Sequence, residues 1–498
     1  MKPNILFITA DQWRGDCLGI AGHPTLKTPH VDRLAADGAC FRRHFASAAP
    51  CSPARAALYT GLYQMNNRVC RNGTPLDDRF DNVARAARRA GYEPTLFGYT
   101  DTALDPRLLH PADPRRATYE SVLPGFSVRQ PLPEDDRPWL AWLAGRGHDV
   151  SDPARIHRPS DRNAPEISRA PPAYTANKTQ TAFLTDAFLR WLGEQDAGRP
   201  WFAHVSFLRP HPPFIVPEPY NEMYGCDDVP DIARLPSREA EAAAHPFVAY
   251  TLDRLKKSDF IPGATGLVRD WSEAEQRTIR AIYYGMISEV DSQLGRIWQG
   301  LEAAGAWDDT AIVFTSDHAE MMGDHWLFGK GGFFDGAYHV PLVIHCPGMA
   351  RSSEIDAFSE AVDIFPTILD LMGVDPATVP DGRSLLPLAR GGEASRPRDH
   401  VFWEFDFRDV VNRGAERHFG LASSLCNLSV FRSERFKYVH FAGLPPLLFD
   451  LAEDPHETRN RAADPDYRDV RLDCAERLLS IRAGHLDQTL ASISLVDG

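Results

Sequence analysis

Hydrophobic runs that end abruptly at polar residues set the pattern of this chain. Residues 4–10, Asn-Ile-Leu-Phe-Ile-Thr-Ala, form a continuous apolar stretch, as expected of a strand buried on both faces, and it stops at Asp11. The same pattern recurs over 95–99, ending in Thr100-Asp101-Thr102. It recurs again over 201–207, ending in Arg209-Pro210-His211, and over 311–315, ending in Asp317-His318. Residues 40–45 and 340–346 read as two further strands. Between the runs, apolar residues recur at helical spacing. Thr28-Pro29 opens a helix that closes at Gly38, and helices are predicted over 82–90, 179–194 and 272–305. Asp363 caps a helix that Gly373 ends.

Two stretches break this rhythm. From 105 to 172 prolines, arginines and aspartates crowd together, and the segment reads as a mostly irregular insert anchored by Trp139, Leu140, Trp142 and Leu143. Such an insert is placed to wall an active site or an oligomer interface. After Arg398 the strands become short and clustered, over 401–407, 428–431, 436–441 and 447–451, which predicts a small antiparallel sheet with a terminal helix on it. The expected fold class is therefore α/β: a large, mixed but mostly parallel sheet between helices, over 1–397, followed by a smaller α+β domain over 398–498.

Composition narrows the partners. The 498 residues are 43% hydrophobic and 24% charged, an ordinary globular balance. A net charge of −14 argues against nucleic acid or an anionic membrane as the main partner, while leaving room for a locally positive cleft. Eight cysteines without regular spacing do not form a disulfide framework. The first apolar run is too short to span a membrane and leads directly into Asp11, so the expected location is the cytoplasm.

Chemistry concentrates around Cys51-Ser52-Pro53-Ala54-Arg55. Pro53 suits a first helical turn and Gly61 a helix stop, which puts Cys51 at a helix N-terminus and Arg55 one turn in. Unpaired N–H groups, the helix dipole and a guanidinium make an anion site there; a helix start with a buried cysteine fits the pentapeptide equally well. Each strand end also has a plain reading as a turn or helix cap. Together, though, Asp11, His211, Asp317 and His318 offer carboxylate and imidazole groups on neighbouring strand ends, a set able to converge on one divalent metal.

The pentapeptide, continued by Ala57-Leu58-Tyr59-Thr60-Gly61, resembles the sulfatase signature, in which the cysteine is oxidised to formylglycine by a dedicated enzyme. The resemblance spreads to Asn4–Ile8 with Asp11, to Pro210-His211-Pro212-Pro213, to Thr315–Glu320, to Gly323–Lys330, and to Phe449-Asp450-Leu451 with Asp454-Pro455 and Glu457. On this basis the chain is identified as a member of the sulfatase branch of the alkaline phosphatase superfamily. Gln12 in place of a second aspartate, His318 in place of asparagine, and Gly98-Tyr99-Thr100 resemble the phosphonate monoester hydrolase and arylsulfatase subgroup. So do the stretches 71–77, 209–214 and 405–409; Asp101 departs from it, standing where a threonine-rich stretch is expected.

The resemblance implies one divalent ion, Ca2+ or Mn2+, held by Asp11, modified Cys51, Asp317 and His318, with Gln12, Arg55, Asn72, Tyr99, His211 and Lys330 around the substrate anion. It implies that one hydroxyl of the aldehyde hydrate attacks sulfur or phosphorus, that His211 or Lys330 protonates the departing oxygen, and that the second hydroxyl allows release of the product. The expected substrates are small sulfate monoesters, with phosphonate monoesters and phosphodiesters beside them. The expected partners are a formylglycine-generating enzyme during maturation and further copies of the chain, as a homodimer or homotetramer. The insert and the tail positions Leu490, Ile493 and Leu495 are placed to cover a neighbour. The rival readings are primarily a phosphonate monoester hydrolase and phosphodiesterase with side sulfatase activity, another phosphohydrolase of the superfamily, and a non-catalytic binding protein on the same fold.

Overall fold

The computed structural model describes residues 2–489 apart from 197, 350–352, 393–397 and 488. The apolar tail positions Leu490, Ile493 and Leu495 lie outside the described residues. Strand β1 (Asn4–Ala10) lies inside an eight-stranded sheet. The other strands of that sheet are β2 (Ala39–Phe45), β4 (Pro94–Gly98), β5 (Ser127–Pro131), β6 (Phe202–Phe207), β7 (Thr310–Thr315), β8 (Leu342–His345) and β9 (Ser353–Glu360), and β3 (Ala48–Ala49) belongs elsewhere. The order is β5-β4-β6-β1-β7-β8-β2-β9. All neighbours are parallel except β8, which runs antiparallel to both β7 and β2. Ile5, Leu6, Phe7 and Ile8 are fully buried. Each such side chain is worth roughly 1.5–3 kcal/mol of burial, so the centre of the sheet is the firm part of the scaffold.

Helices cover both faces. They include α1 (Pro29–Asp37), α2 (Cys51–Thr60), α3 (Val83–Arg89), α4 (Gln180–Leu192), α5 (Glu273–Ala303) and α6 (Ile364–Met372). Their ends follow the sequence signals. Asn82 caps α3 through Oδ1, Thr179 caps α4 through its hydroxyl, and Ser272 with Glu275 forms a capping box at the start of α5. Gly61 and Gly373 take left-handed conformations where α2 and α6 stop. Asp363 differs from its expected part: it stands at the cap position of α6, but its carboxylate accepts from the backbone of Glu360 and Arg383 instead.

The second sheet has the order β13-β12-β11-β10-β3, from β10 (His400–Asp406), β11 (Asn427–Ser433), β12 (Phe436–Phe441) and β13 (Leu447–Asp450). Its four late strands are antiparallel, and the terminal helix α7 (Arg468–Gly484) packs on β11 and β12. The fifth strand, β3, pairs parallel with β10 directly before Cys51. This pairing ties the C-terminal sheet to the start of α2. Residues 46–50 read only as a small-residue run, because two paired residues leave no periodic signal.

The insert over 105–172 is more ordered than its composition suggests. It contributes β5, which pairs with β4 as the edge of the large sheet, and a helix over Arg137–Ala144 that buries Trp139 and Leu143. Strand β9 is likewise an edge element with alternating exposure, and its half-polar sequence hides it from a search for apolar runs. Among the described residues no helix is long and apolar enough to cross a membrane.

Candidate active site

The carboxyl ends of β1, β4, β6 and β7 meet the N-terminus of α2, the crevice where open α/β sheets bind ligands. Close strand approach is built in at Gly98, where φ is +111° and a Cβ would stand 2.1 Å from the Ser206 carbonyl oxygen. Asp11 leaves β1, Asp317 and His318 leave β7, and Cys51 opens α2. One ligand atom from each of these four residues lies within 4.8 Å of the others, and all four side chains are buried. His318 Nε2 is 3.2 Å from Cys51 Sγ and 3.7 Å from both Asp11 Oδ1 and Asp317 Oδ2. Its Nδ1 is 3.1 Å from the Ala319 carbonyl oxygen, which fixes the proton on Nδ1 and leaves the Nε2 lone pair facing the cluster.

Arg55 organises these groups from behind. It is fully buried, and all five of its N–H groups are engaged. Nε donates to Asp317 Oδ2 at 2.9 Å, Nη2 to Asp11 Oδ2 at 3.1 Å and to the Tyr99 hydroxyl at 2.8 Å, and Nη1 to Ser206 Oγ at 2.9 Å and the Tyr59 hydroxyl at 3.3 Å. Tyr99 donates in turn to Asp11 Oδ2. The guanidinium therefore holds one oxygen of each aspartate, and Asp11 Oδ1 is left buried with no hydrogen-bond partner. A buried carboxylate oxygen without a partner, grouped with a carboxylate, an imidazole lone pair and residue 51, is a donor set that fits one divalent cation.

Charge and burial set the protonation states. Burial and then Asp11 lift Asp317 to about 6. Burial also acts to raise Asp11, but His211, His318, Lys330 and Arg55 outweigh it and hold that carboxyl well below the usual range. Burial, reinforced by Lys330, brings His318 and His211 down to about 3, so both imidazoles are neutral at pH 7. Burial and Asp11 push the Cys51 thiol far up, leaving an unmodified Cys51 as a neutral, weakly nucleophilic thiol. For Lys330 the desolvation is outweighed by Cys51, Asp11, Asp317 and Glu320, so the ammonium is retained.

The remaining expected residues surround this centre. Lys330 donates to Gln12 Oε1 at 2.6 Å, and Gln12 Nε2 donates to Glu320. His211 has its Nδ1 2.8 Å from the Pro212 carbonyl oxygen, which assigns its proton there and leaves Nε2 as the acceptor. Asn72 Oδ1 accepts from the Ser52 backbone N–H at 3.0 Å, tying its loop to the first turn of α2. Lys330, His211 and Asn72 are partly exposed, whereas Cys51, Arg55, Asp11 and Asp317 are not. The opening to solvent therefore lies on the Lys330–His211–Asn72 side. Clefts of about 410 Å³ beside Arg14 and Arg280, and of about 560 Å³ between Asn4 and Arg199, do not include Cys51 in their walls. Cys51, Arg55, Asp11 and Asp317 are thus nearly closed off from solvent.

Sequence reasoning missed four supports. Glu320 orients Gln12 and accepts from the Met322 and Gly329 backbones. Ser206 and Tyr59 complete the hold on Arg55, and His204 is 3.0 Å from the Tyr59 hydroxyl and stacks on Phe7. A signal existed for two of them: His204 and Ser206 are polar residues two apart in an otherwise apolar strand, and so share a face.

Residues 3–374 match the sulfatase family. The chain belongs to that family. Within it, residues 323–484 match the family described as N-sulphoglucosamine sulphohydrolase, C-terminal. This sulfatase is 40% identical to the multifunctional alkaline phosphatase superfamily protein PehA of Trinickia caryophylli, over 98% of this chain and 97% of the relative. Among solved structures, the phosphonate monoester hydrolase of Agrobacterium radiobacter superimposes with a TM-score of 0.97 at 62% identity, covering 99% of this chain and 98% of that one. The phosphonate monoester hydrolase SpPMH of Silicibacter pomeroyi gives 0.94 at 39% identity, with 99% and 98% covered. The enzyme is a hydrolase of sulfate or phosphonate esters, on an alkaline phosphatase-like fold.

Proposed function

We propose that this sulfatase is a formylglycine- and metal-dependent hydrolase whose main substrates are phosphonate monoesters, with phosphodiesters and aryl sulfates turned over at the same centre. The observation that carries the reading is the grouping of Asp11, Cys51, Asp317 and His318 within 4.8 Å, with Asp11 Oδ1 unpartnered. The 62% identical phosphonate monoester hydrolase supports the order of preference, and the sulfatase family match supports the sulfate reaction. The three ester classes share one feature, a tetrahedral centre carrying a single negative charge.

Asp11, Asp317, His318 and residue 51 are the groups that would hold the ion, Ca2+ by the hardness of the carboxylates or Mn2+ by the imidazole. When bound, it supplies Lewis-acid polarisation of a sulfuryl or phosphoryl oxygen. A hydrated aldehyde at residue 51 would supply one hydroxyl for attack and a second for product release. The helix N-terminus at residue 51 favours the anion by its dipole, worth roughly 0.3–1 kcal/mol at an exposed site and up to about 2 kcal/mol in a partly buried one. Lys330 is the protonated group at the open side and so donates to the departing oxygen, while His211, neutral with its proton on Nδ1, accepts a hydrogen bond at Nε2. Arg55 acts by fixing Asp11, Asp317 and Tyr99, since its own donors are already engaged.

The test is turnover of 4-nitrophenyl phenylphosphonate, bis(4-nitrophenyl) phosphate and 4-nitrophenyl sulfate by purified enzyme, with mass spectrometry of the peptide containing residue 51. Turnover of all three in proportion to the aldehyde fraction is the expected result. Equal rates from fully unmodified protein, or activity confined to phosphate monoesters, would overturn the reading.

A further inference from the structure

Beside the reaction centre stands a second group of acids. Asp101, Glu120 and Glu134 each offer a carboxylate oxygen within 4.8 Å of the others. The insert brings them together: Thr102 N–H donates to the Ser121 carbonyl at 3.3 Å, Thr100 Oγ1 donates to the same carbonyl at 3.1 Å, and Leu132 N–H donates to the Gly98 carbonyl at 3.0 Å. These bonds lay residues 118–134 across the end of β4, so that Glu120 and Glu134 face Asp101. Asp101 is 2% exposed, and neither of its carboxylate oxygens has a hydrogen-bond partner. Glu120 accepts from the Glu134 backbone N–H at 2.6 Å, and Glu134 accepts from the Tyr119 hydroxyl at 2.5 Å. Among the described residues no lysine or arginine is ion-paired with any of the three. A buried carboxyl aimed at two others is costly to ionise: burial lifts Asp101 to about 8 against the pull of Arg55, so near neutral pH it stays protonated until a positive ligand favours the carboxylate.

The cluster also has a definite side. Asp101 follows by two residues Tyr99, whose hydroxyl bonds Asp11 and Arg55 in the reaction centre, and its carboxylate lies within 4.8 Å of those of Glu120 and Glu134. It therefore bridges the reaction centre and the two glutamates. Lys330, which bonds Gln12, is the group assigned above to the departing oxygen. With the departing oxygen assigned to Lys330, the substituent retained on phosphorus is the part of the ester left to reach Asp101.

Resting on the hydrolase reading above, we propose that Asp101, Glu120 and Glu134, with Tyr119, form a cation subsite that recognises a positively charged substituent on phosphorus, making esters of aminoalkylphosphonates the preferred substrate class. The ammonium is held by charge-assisted hydrogen bonds from its N–H groups to the three carboxylates, and the anionic phosphonate lies against residue 51.

The test uses an isosteric pair with one leaving group: the 4-nitrophenyl monoesters of 2-aminoethylphosphonate and of n-propylphosphonate. Wild-type enzyme is expected to favour the ammonium ester in kcat/KM by about five- to tenfold, a preference that shrinks as salt rises. In a Glu120→Gln/Glu134→Gln double variant, and separately in Asp101→Asn, the ratio of the two esters should fall toward one. A wild-type ratio of one or below, or a ratio unmoved in both variants, overturns the subsite while turnover of the propyl ester leaves the hydrolase reading standing. No turnover of either ester by aldehyde-bearing enzyme overturns the hydrolase reading, and the subsite with it. Equilibrium dialysis with Ca2+ and with Mn2+ separates the other source of positive charge. One ion per chain in wild type and double variant supports the substrate subsite; a second ion lost in the double variant assigns the cluster to a metal and overturns it.

Discussion

Replacing Arg55 with lysine keeps the charge and removes the fork. The guanidinium makes five hydrogen bonds, to Asp317, Asp11, Tyr99, Ser206 and Tyr59, in a site closed to solvent. A lysine offers three N–H donors from one point, so at least two of the five acceptors lose their partner. Each unsatisfied buried group costs about 1–3 kcal/mol, which puts the loss at about 2–6 kcal/mol. Unfolding entropy near 60 °C is about 2.1 cal/mol/K per residue, so for a chain of this length 1 kcal/mol corresponds to about 1 °C in Tm, and Arg55→Lys should melt roughly 2–6 °C below wild type. Because Asp11 and Asp317 lose the group that orients them, affinity for the divalent ion should also fall about 10- to 100-fold. Circular dichroism melting and isothermal titration with Ca2+ and Mn2+ measure the two effects. A variant with an unchanged Tm and unchanged metal affinity would show that the fork does not organise these carboxylates.

Three further outcomes are expected. Asp317→Asn keeps the shape and removes a negative ligand, so metal content measured by elemental analysis should drop below one ion per chain, with turnover lost and the circular dichroism spectrum retained. Lys330→Ala should cost far more with a poor leaving group than with 4-nitrophenol, by about 10²–10⁴ in kcat for an alkyl ester, because only the poor leaving group needs the proton; equal losses for both would remove Lys330 from that role. Glu289 is buried, its oxygens accept from the Thr179 and Thr181 hydroxyls, and burial lifts it to about 7. A raised carboxyl stabilises the fold in its protonated form. That contribution, of order 3 kcal/mol, is full below about 4.5 and is lost as pH rises through about 7. Glu289→Gln should flatten this part of the stability–pH curve in urea titrations, and an unchanged slope between pH 5 and 8 would refute the assignment.

The elements that read clearly from sequence are those whose signals are local. The run of β1 is apolar throughout because both its faces are covered, and caps such as Asn82, Thr179 and Ser272 act within their own helices. The four residues grouped within 4.8 Å each carried a local signal: Asp11, Asp317 and His318 stand where apolar runs break at the carboxyl end of the sheet, Cys51 stands at a helix start, and family resemblance linked them. What the sequence could not carry is pairing between distant segments. Strands β3, β5 and β9 lie at sheet edges, where half-polar or two-residue stretches become strands only through their partners. The role of Arg55 is of the same kind: its motif announces a cation near an anion site, yet its five donors are assigned by Tyr59 in its own helix and by Ser206, Tyr99 and two aspartates from four other segments. The acidic cluster is the furthest case. Asp101 is visible along the chain only as a departure from the expected threonine-rich stretch, Glu120 and Glu134 carry no signal there, and only the folding of the insert over the end of β4 brings the three carboxylates together. Local sequence determines the strands and helices whose apolar runs and caps lie within a few residues; the tertiary structure decides the edge strands and which charges face one another, because strand pairing and Coulomb energy depend on distance through space and on the water excluded between the groups.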